Sequence, residues 1–251
     1  MNEALTCDEF LGGRLKLWQP HEGYRAGADP VLLAAAVPAE AGQDVLELGC
    51  GGGAAILCLG ARVEGLNLTG IELQPSYAAL ARRNADENGI GLSVIEADLR
   101  ALPTDLRQRH WHHILMNPPY FDRSASTPSA DSGRDTALGG ETPMSDWIDV
   151  AARRLRPKGT LTLIQRIERL PEALVACEGR LGSLVVLPLA PRADRAPKLF
   201  LLQARKGGRA AFHLSAPLVL HEGHTHVKDR DDYTAEARAI LRDGKPLPLR
   251  P

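Results

Sequence analysis

The stretch VLELGCGGG, residues 45–53, reads as a buried strand that runs straight into a glycine turn. Val45, Leu46 and Leu48 form an apolar run of strand length, too short for a helix. Glycines at 49, 51 and 53 let the backbone turn tightly and let a ligand approach the main chain. A helix after such a turn offers N–H groups at its first turn. Outward from this point, short β-rich runs alternate with helical patterns, which argues for a mostly parallel sheet. The expected strands are DVLELG (44–49), LTGIEL (68–73), LSVIEA (92–97), HHILMN (112–117), TLTLIQ (160–165), SLVVLPL (183–189) and KLFLLQAR (198–205). Only APRADRAP joins the last two, which is too short for a helical crossover, so they should pair antiparallel.

Pro75 to Asn88 reads as a helix with proline in its first turn and Gly89 as its stop. A second helix is expected from Ser145, as N-cap, to Arg156, ended by Pro157-Lys158-Gly159. Residues 1–40 read as an extension preceding a body of residues 41–251. In the extension, FLGGRLKLWQ (10–19) should be a hairpin turning at Gly12-Gly13, with Leu15 and Leu17 on one face. Asp29 should then cap a helix that has Pro30 at its first position. A polar stretch over 122–142 reads as a long loop of the kind that often serves function.

The chain has 251 residues, 44% hydrophobic and 24% charged, which describes a globular protein able to bury a full core. Its longest apolar run, Val31–Val37, is far too short to span a bilayer, and the polar N-terminus carries no secretory signal. The four cysteines lack C-x-x-C spacing, which suits reduced thiols and a cytoplasmic protein. The net charge of −1 is unevenly spread. Residues 150–210 carry thirteen Lys and Arg against four Asp and Glu, a local +9 that suits a polyanionic partner.

The glycine turn also satisfies G-x-G-x-x-A at Gly49, Gly51 and Ala54, so a dinucleotide site competes for it. The carboxylates separate the two. Glu47, inside the strand end, would repel a pyrophosphate but suits a cationic amino-acid moiety. Glu72 closes the next strand, where a ribose-binding acid belongs. Asp98 ends the third. Acids at three consecutive strand ends fit a ligand with a positive charge, two ribose hydroxyls and an adenine amine, which is S-adenosylmethionine.

The fourth strand ends in Asn117-Pro118-Pro119-Tyr120, which resembles the NPPY motif of amino-group methyltransferases. The E-x-G-x-G-x-G turn, Glu72, Asp98 and NPPY match in order and spacing over roughly residues 20–205. The chain resembles the bacterial tRNA (adenine-N6) methyltransferases that act on position 37 of valine tRNA. QPHEGYRAGADPVLLAA (19–35) is similar to that family's N-terminal motif, and DDYTAEARAIL (231–241) to its ending. The resemblance implies a Rossmann-like class I methyltransferase fold: a mostly parallel seven-stranded sheet with an antiparallel last strand and a small N-terminal hairpin. It implies S-adenosylmethionine contacts from Tyr24, Arg25, Asp29, Glu47, Gly49, Gly51, Gly53, Glu72, Leu73, Asp98, Leu99 and Asn117. Catalysis would fall to Asn117, Pro118, Pro119 and Tyr120, with valine tRNA as partner and neither metal nor membrane required.

The residue types suit that chemistry. An exocyclic purine amine is a poor nucleophile because its lone pair is delocalised. The Asn117 amide oxygen and the Pro118 carbonyl can accept its two N–H bonds and aim the lone pair at a methyl donor. Prolines hold that carbonyl rigid. Tyr120 can stack on an extruded base, a contact worth roughly 1–3 kcal/mol. Glutamine-N5 methylation of a release factor also uses NPPY on this fold, and amino-methylation of rRNA or DNA bases is a further alternative; the basic stretch favours RNA over the release factor. His221, His224, His226 and Asp229 read as a polar loop rather than a metal site. Arg192 and Arg195, in the loop between the last two strands, are expected to face solvent as RNA contacts.

Overall fold

A computed structural model describes residues 5–22, 25–119, 142–225 and 232–249. Strands β1 (Leu5–Phe10) and β2 (Leu15–Pro20) form the expected antiparallel hairpin. Its turn is a single 3-10 turn over Leu11–Gly13, where Leu11 and both glycines take positive φ. The seven body strands all form: β3 (Asp44–Leu48), β4 (Asn67–Glu72), β5 (Leu92–Glu96), β6 (Trp111–Met116), β7 (Leu155–Arg166), β8 (Gly182–Ala190) and β9 (Leu199–Arg205). They are ordered β8-β9-β7-β6-β3-β4-β5, with β9 antiparallel to both neighbours. Two further two-residue strands, β10 (His213–Leu214) and β11 (Leu218–Val219), pair parallel with the outer edge of β8. Two residues carry too little periodicity for a sequence reading to find them.

Side chains alternate between two cores, as strand geometry requires. Val45, Leu115, Ile164 and Leu201 face one side, against helices α1 (Ala28–Ala36) and α2 (Ala54–Arg62). Leu46, Ile114, Leu163 and Phe200 face the other. After α3 (Pro75–Glu87) and the short α4 (Thr104–Gln108) come α5 (Met144–Arg154) and α6 (Leu170–Cys177), whose Trp147, Ile148 and Ala173 cover that second face. The C-terminal helix α7 (Ala235–Leu241) starts from Thr234, whose hydroxyl accepts from Ala237 N. Among the described residues, no helix is long and apolar enough to cross a membrane.

The hairpin docks on α3 through two asparagines one turn apart. Asn84 accepts from Trp18 N and donates to Trp18 O, and Asn88 does the same for Lys16. Each amide thus stands in for a neighbouring strand along the free edge of β2. Asn84 also donates to Gly52 O at 2.9 Å, so one buried side chain joins the hairpin to the glycine turn.

Three local expectations are corrected. Asp29 does not cap α1: Gly27 is the N-cap and Asp29 lies in the first turn. Ser145 does not cap α5 either, since Pro143 occupies that position. Pro157-Lys158-Gly159 does not stop a helix at 156, because α5 ends at Arg154 and those three residues lie inside β7. The loop expected over 122–142 falls, but for its last residue, outside the described residues.

Candidate active site

Parallel register brings the strand ends together. Leu48 of β3 pairs with Ile71 of β4 on one side and with Met116 of β6 on the other. The residues that follow, Gly49, Glu72 and Asn117, therefore line one edge of the sheet. Glu72 pairs with Glu96, which places Asp98 just past the end of β5 on that same edge.

The glycine turn has the geometry its sequence demands. Gly49, Gly51 and Gly53 have φ of 65°, 53° and 87°, a region that side-chain-bearing residues rarely adopt. At Gly49 a Cβ would also meet the Trp147 ring at 2.7 Å, whereas at Gly51 it would meet nothing within 4 Å. The turn is packed from below and open where a ligand would lie.

Glu72 is buried at the mouth of this turn, with each carboxylate oxygen engaged. Oε2 accepts from Gly51 N and Oε1 from Gln74 N, both at 2.8 Å. Each oxygen keeps a further lone pair. Leu73 follows it, 61% exposed, an apolar surface of the kind an adenine ring covers. Glu47 is buried in the end of β3, and its Oε2 accepts from Ile56 N in the first turn of α2 at 3.0 Å. Asp98 caps the 3-10 turn Leu99–Ala101 by accepting from Arg100 N, and its carboxylate pairs with the Arg100 guanidinium at 2.9 Å. Those bonds hold its carboxyl below the usual carboxylate range.

Burial pushes the Glu47 carboxyl well above its ordinary value near 4.5; the Ile56 N–H opposes this and the Glu72 charge adds to it. The folded state therefore holds the Glu47 proton more tightly than the unfolded state does. Stability should fall as pH rises from about 4.5 through the folded-state value. Glu47→Gln should flatten that limb in urea melts run upward in pH from about 4.5. Parallel wild-type and variant curves would contradict the buried carboxylate as its source. Cys50, in the turn itself, is pushed up by burial and by the nearby Glu47 and Glu72, so it is no thiolate nucleophile.

Asn117 follows β6, and its Oδ1 is buried. The Pro118 carbonyl accepts from the Gln165 side chain at 3.0 Å and the Pro119 carbonyl from Arg169 at 3.2 Å. Neither donor figured in the sequence reading. The visible signal was an amide closing the apolar run TLTLIQ, and Gln165 is fully buried. Tyr24 and Tyr120 lie outside the described residues. Arg25 belongs to the hairpin in this structure: it pairs with Asp8 at 2.6 Å and donates to Thr6 Oγ1 and Pro20 O. His221 pairs with Asp232 and His224 with Asp194, while His226 and Asp229 are outside the described residues.

Arg192 is corrected. It is buried, ion-paired to Asp232 at 2.5 Å, and donates to the Glu222 carbonyl. Arg195 alone of the two faces solvent. The basic stretch is also not one surface. Thr160 pairs with Arg205 at one end of β7, and Arg166 with Leu199 at the other. Arg205 and Lys206 therefore lie at the far end of the sheet from Asn117, and Arg195 and Lys198 at the near end.

A sheet of this order, with a glycine turn after β3 and acids closing β3, β4 and β5, defines an S-adenosylmethionine-dependent methyltransferase. A methyltransferase-domain family matches residues 45–125. Among solved structures, an Agrobacterium tumefaciens protein described as a predicted O-methyltransferase is 28% identical with a TM-score of 0.71, covering 88% of this chain and 98% of that one. A Thermus thermophilus 16S rRNA N2 methyltransferase, in complex with AdoMet and guanosine, shares the fold at 21% identity and a TM-score of 0.57, over 81% of this chain and 50% of that one. The tRNA1(Val) (adenine(37)-N6)-methyltransferase of Porphyromonas gingivalis is 32% identical over 216 residues, 82% of this chain and 84% of the relative. A Flavobacteriaceae protein of the same name is 28% identical over 199 residues, 77% and 74% of the two chains. The chain belongs to the tRNA1(Val) (adenine(37)-N6)-methyltransferase family.

Proposed function

We propose that this enzyme methylates the N6 amine of adenine 37 in valine tRNA, in the cytoplasm. The observation that carries the reading is the shared edge: Asn117-Pro118 stands one strand from Gly49 and two from Glu72. S-adenosylmethionine supplies an electrophilic methyl group on sulfur. Glu72 would hold its ribose hydroxyls with the remaining lone pairs, Leu73 and Leu99 would flank the adenine, and Asp98 would accept from its amine. Gly49, Gly51 and Gly53 would admit its amino-acid moiety against the main chain, and Glu47 would face its positive charge. Asp29 and Tyr24 of the 1–40 extension would serve the cofactor, whereas Arg25 is taken up by Asp8, Thr6 and Pro20.

On the acceptor side, Asn117 Oδ1 and the Pro118 carbonyl would take the two N–H bonds of the amine. That orientation turns the nitrogen lone pair to the methyl group and holds acceptors ready as positive charge develops on nitrogen. Pro119 would complete the turn, and stacking on the base is the role proposed for Tyr120. No base is needed before attack, since the proton leaves afterwards.

A cleft of about 610 Å3 opens beside this edge, lined by Arg195, Lys198 and His224 and floored by Ile167 and Glu168. Its Glu168 directly precedes Arg169, which donates to the Pro119 carbonyl. Arg195 and Lys198 would hold phosphates there, positioning the tRNA without reading its bases. The test is methyl transfer to unmodified tRNA followed by nucleoside mass analysis. N6-methyladenosine is expected; methyl on a release-factor glutamine, with none on tRNA, would overturn the reading.

A further inference from the structure

Consecutive prolines create a holding problem at the end of β6. Pro118 and Pro119 have no N–H, so this backbone can be held from outside only through its carbonyls. The β6–β7 ladder pairs Met116 with Leu163; two residues further on stand Pro118 and Gln165, where the ladder would continue if Pro118 could donate. There a side chain replaces the backbone. Gln165 Nε2 donates to the Pro118 carbonyl at 3.0 Å, and Gln165 Oε1 accepts from Arg166 N at 2.9 Å. Both ends of a fully buried amide are satisfied, which fixes its orientation.

The next carbonyl is held by a second device. Arg169 donates to Pro119 O, and its guanidinium is gripped by Glu172 through Nε at 3.0 Å and Nη2 at 2.9 Å. Glu172 also accepts from Met144 N at the start of α5. The turn is thus tied to α6 and through it to α5.

We propose that Gln165, seconded by Arg169, is a positioning residue for methyl transfer: it fixes the direction of the Pro118 carbonyl lone pair that takes the substrate amine N–H. The inference rests on the reading above that this carbonyl binds the amine. A carbonyl oxygen has two acceptor sites. Gln165 occupies one from the side of β7, which leaves the other directed outward at the edge beside Asn117. The residue itself never touches the substrate, so its removal should slow the chemical step and leave ground-state binding nearly intact.

Three proteins test this: wild type, Gln165→Met and Gln165→Glu. Each is assayed by single-turnover methyl transfer to unmodified tRNA and, in parallel, to a release-factor glutamine peptide. Gln165→Met, close in size, should lower the transfer constant by roughly tenfold to a hundredfold. The cofactor dissociation constant and the substrate KM should stay within about threefold of wild type. In Gln165→Glu the introduced carboxyl donates to the Pro118 carbonyl only while protonated. Its transfer rate, relative to wild type, should therefore recover as pH falls, a signature that lost packing alone would not produce. An unchanged transfer constant in Gln165→Met, or a Gln165→Glu pH profile parallel to wild type, overturns the proposal. Wild type active only on the peptide refutes the tRNA reading, while the variant-to-wild-type ratio still decides the role of Gln165. Wild type inert on both substrates overturns both.

Discussion

Asn117→Ala should lower the single-turnover methyl-transfer constant by about a hundredfold or more, while S-adenosylmethionine binds within a few-fold of wild type. The substitution removes the side-chain acceptor proposed for the amine and leaves the backbone alone. Pro118 and Pro119 stay anchored through Gln165 and Arg169, so the turn keeps its place. The proposed cofactor edge rests on Glu72, whose carboxylate oxygens are held by Gly51 N and Gln74 N. A hundredfold loss corresponds to about 2.7 kcal/mol of transition-state stabilisation, in the range seen when one preorganised hydrogen-bonding group is removed. A normal transfer step in a folded Asn117→Ala protein would remove Asn117 from the chemistry.

Arg192→Ala should destabilise the fold by about 3 kcal/mol, measured by urea unfolding, whereas Arg195→Ala should lie within about 0.5 kcal/mol of wild type. The two arginines share one loop and differ in what surrounds them. Arg192 is buried against Asp232 and the Glu222 carbonyl, so truncation strands a shielded carboxylate. His221 keeps the other Asp232 oxygen at 2.6 Å, which places the loss at the low end of the range for breaking a buried pair. Equal effects of the two substitutions would mean that the Arg192–Asp232 pair contributes nothing to the C-terminal docking.

What sequence reasoning reached, and what it missed, divides by the distance of the partner. Strands β3 to β9 were legible because each is a local apolar run, and the glycine turn because three left-handed positions in five residues leave few alternatives. At α1 the glycine before Ala28 serves as N-cap, which moves Asp29 into the first turn. The start of α5 was misplaced because its first backbone donor is satisfied from far along the chain: Glu172 takes Met144 N. A rule that looks for a local cap assigns Ser145 to a role that this long-range contact has already filled. Arg192 misled for the same reason, since Asp232 lies forty residues away in sequence. Gly49, Glu72, Asp98 and Asn117, which share one edge of the sheet, were legible from their types. Those that hold them, Gln165, Arg169 and Asn84, carry no motif and became visible only through their bonds.

The central claim is that the end of β6 takes an exocyclic amine and presents it for methylation. The direct measurement is methyl transfer from S-adenosylmethionine to a valine-tRNA anticodon arm with adenosine at position 37, compared with the same arm carrying purine riboside there. Purine riboside keeps the ring and loses the amine. The account predicts N6-methyladenosine in the first arm and no methyl incorporation in the second, with comparable binding of both. Equal methyl incorporation into the two arms would contradict it.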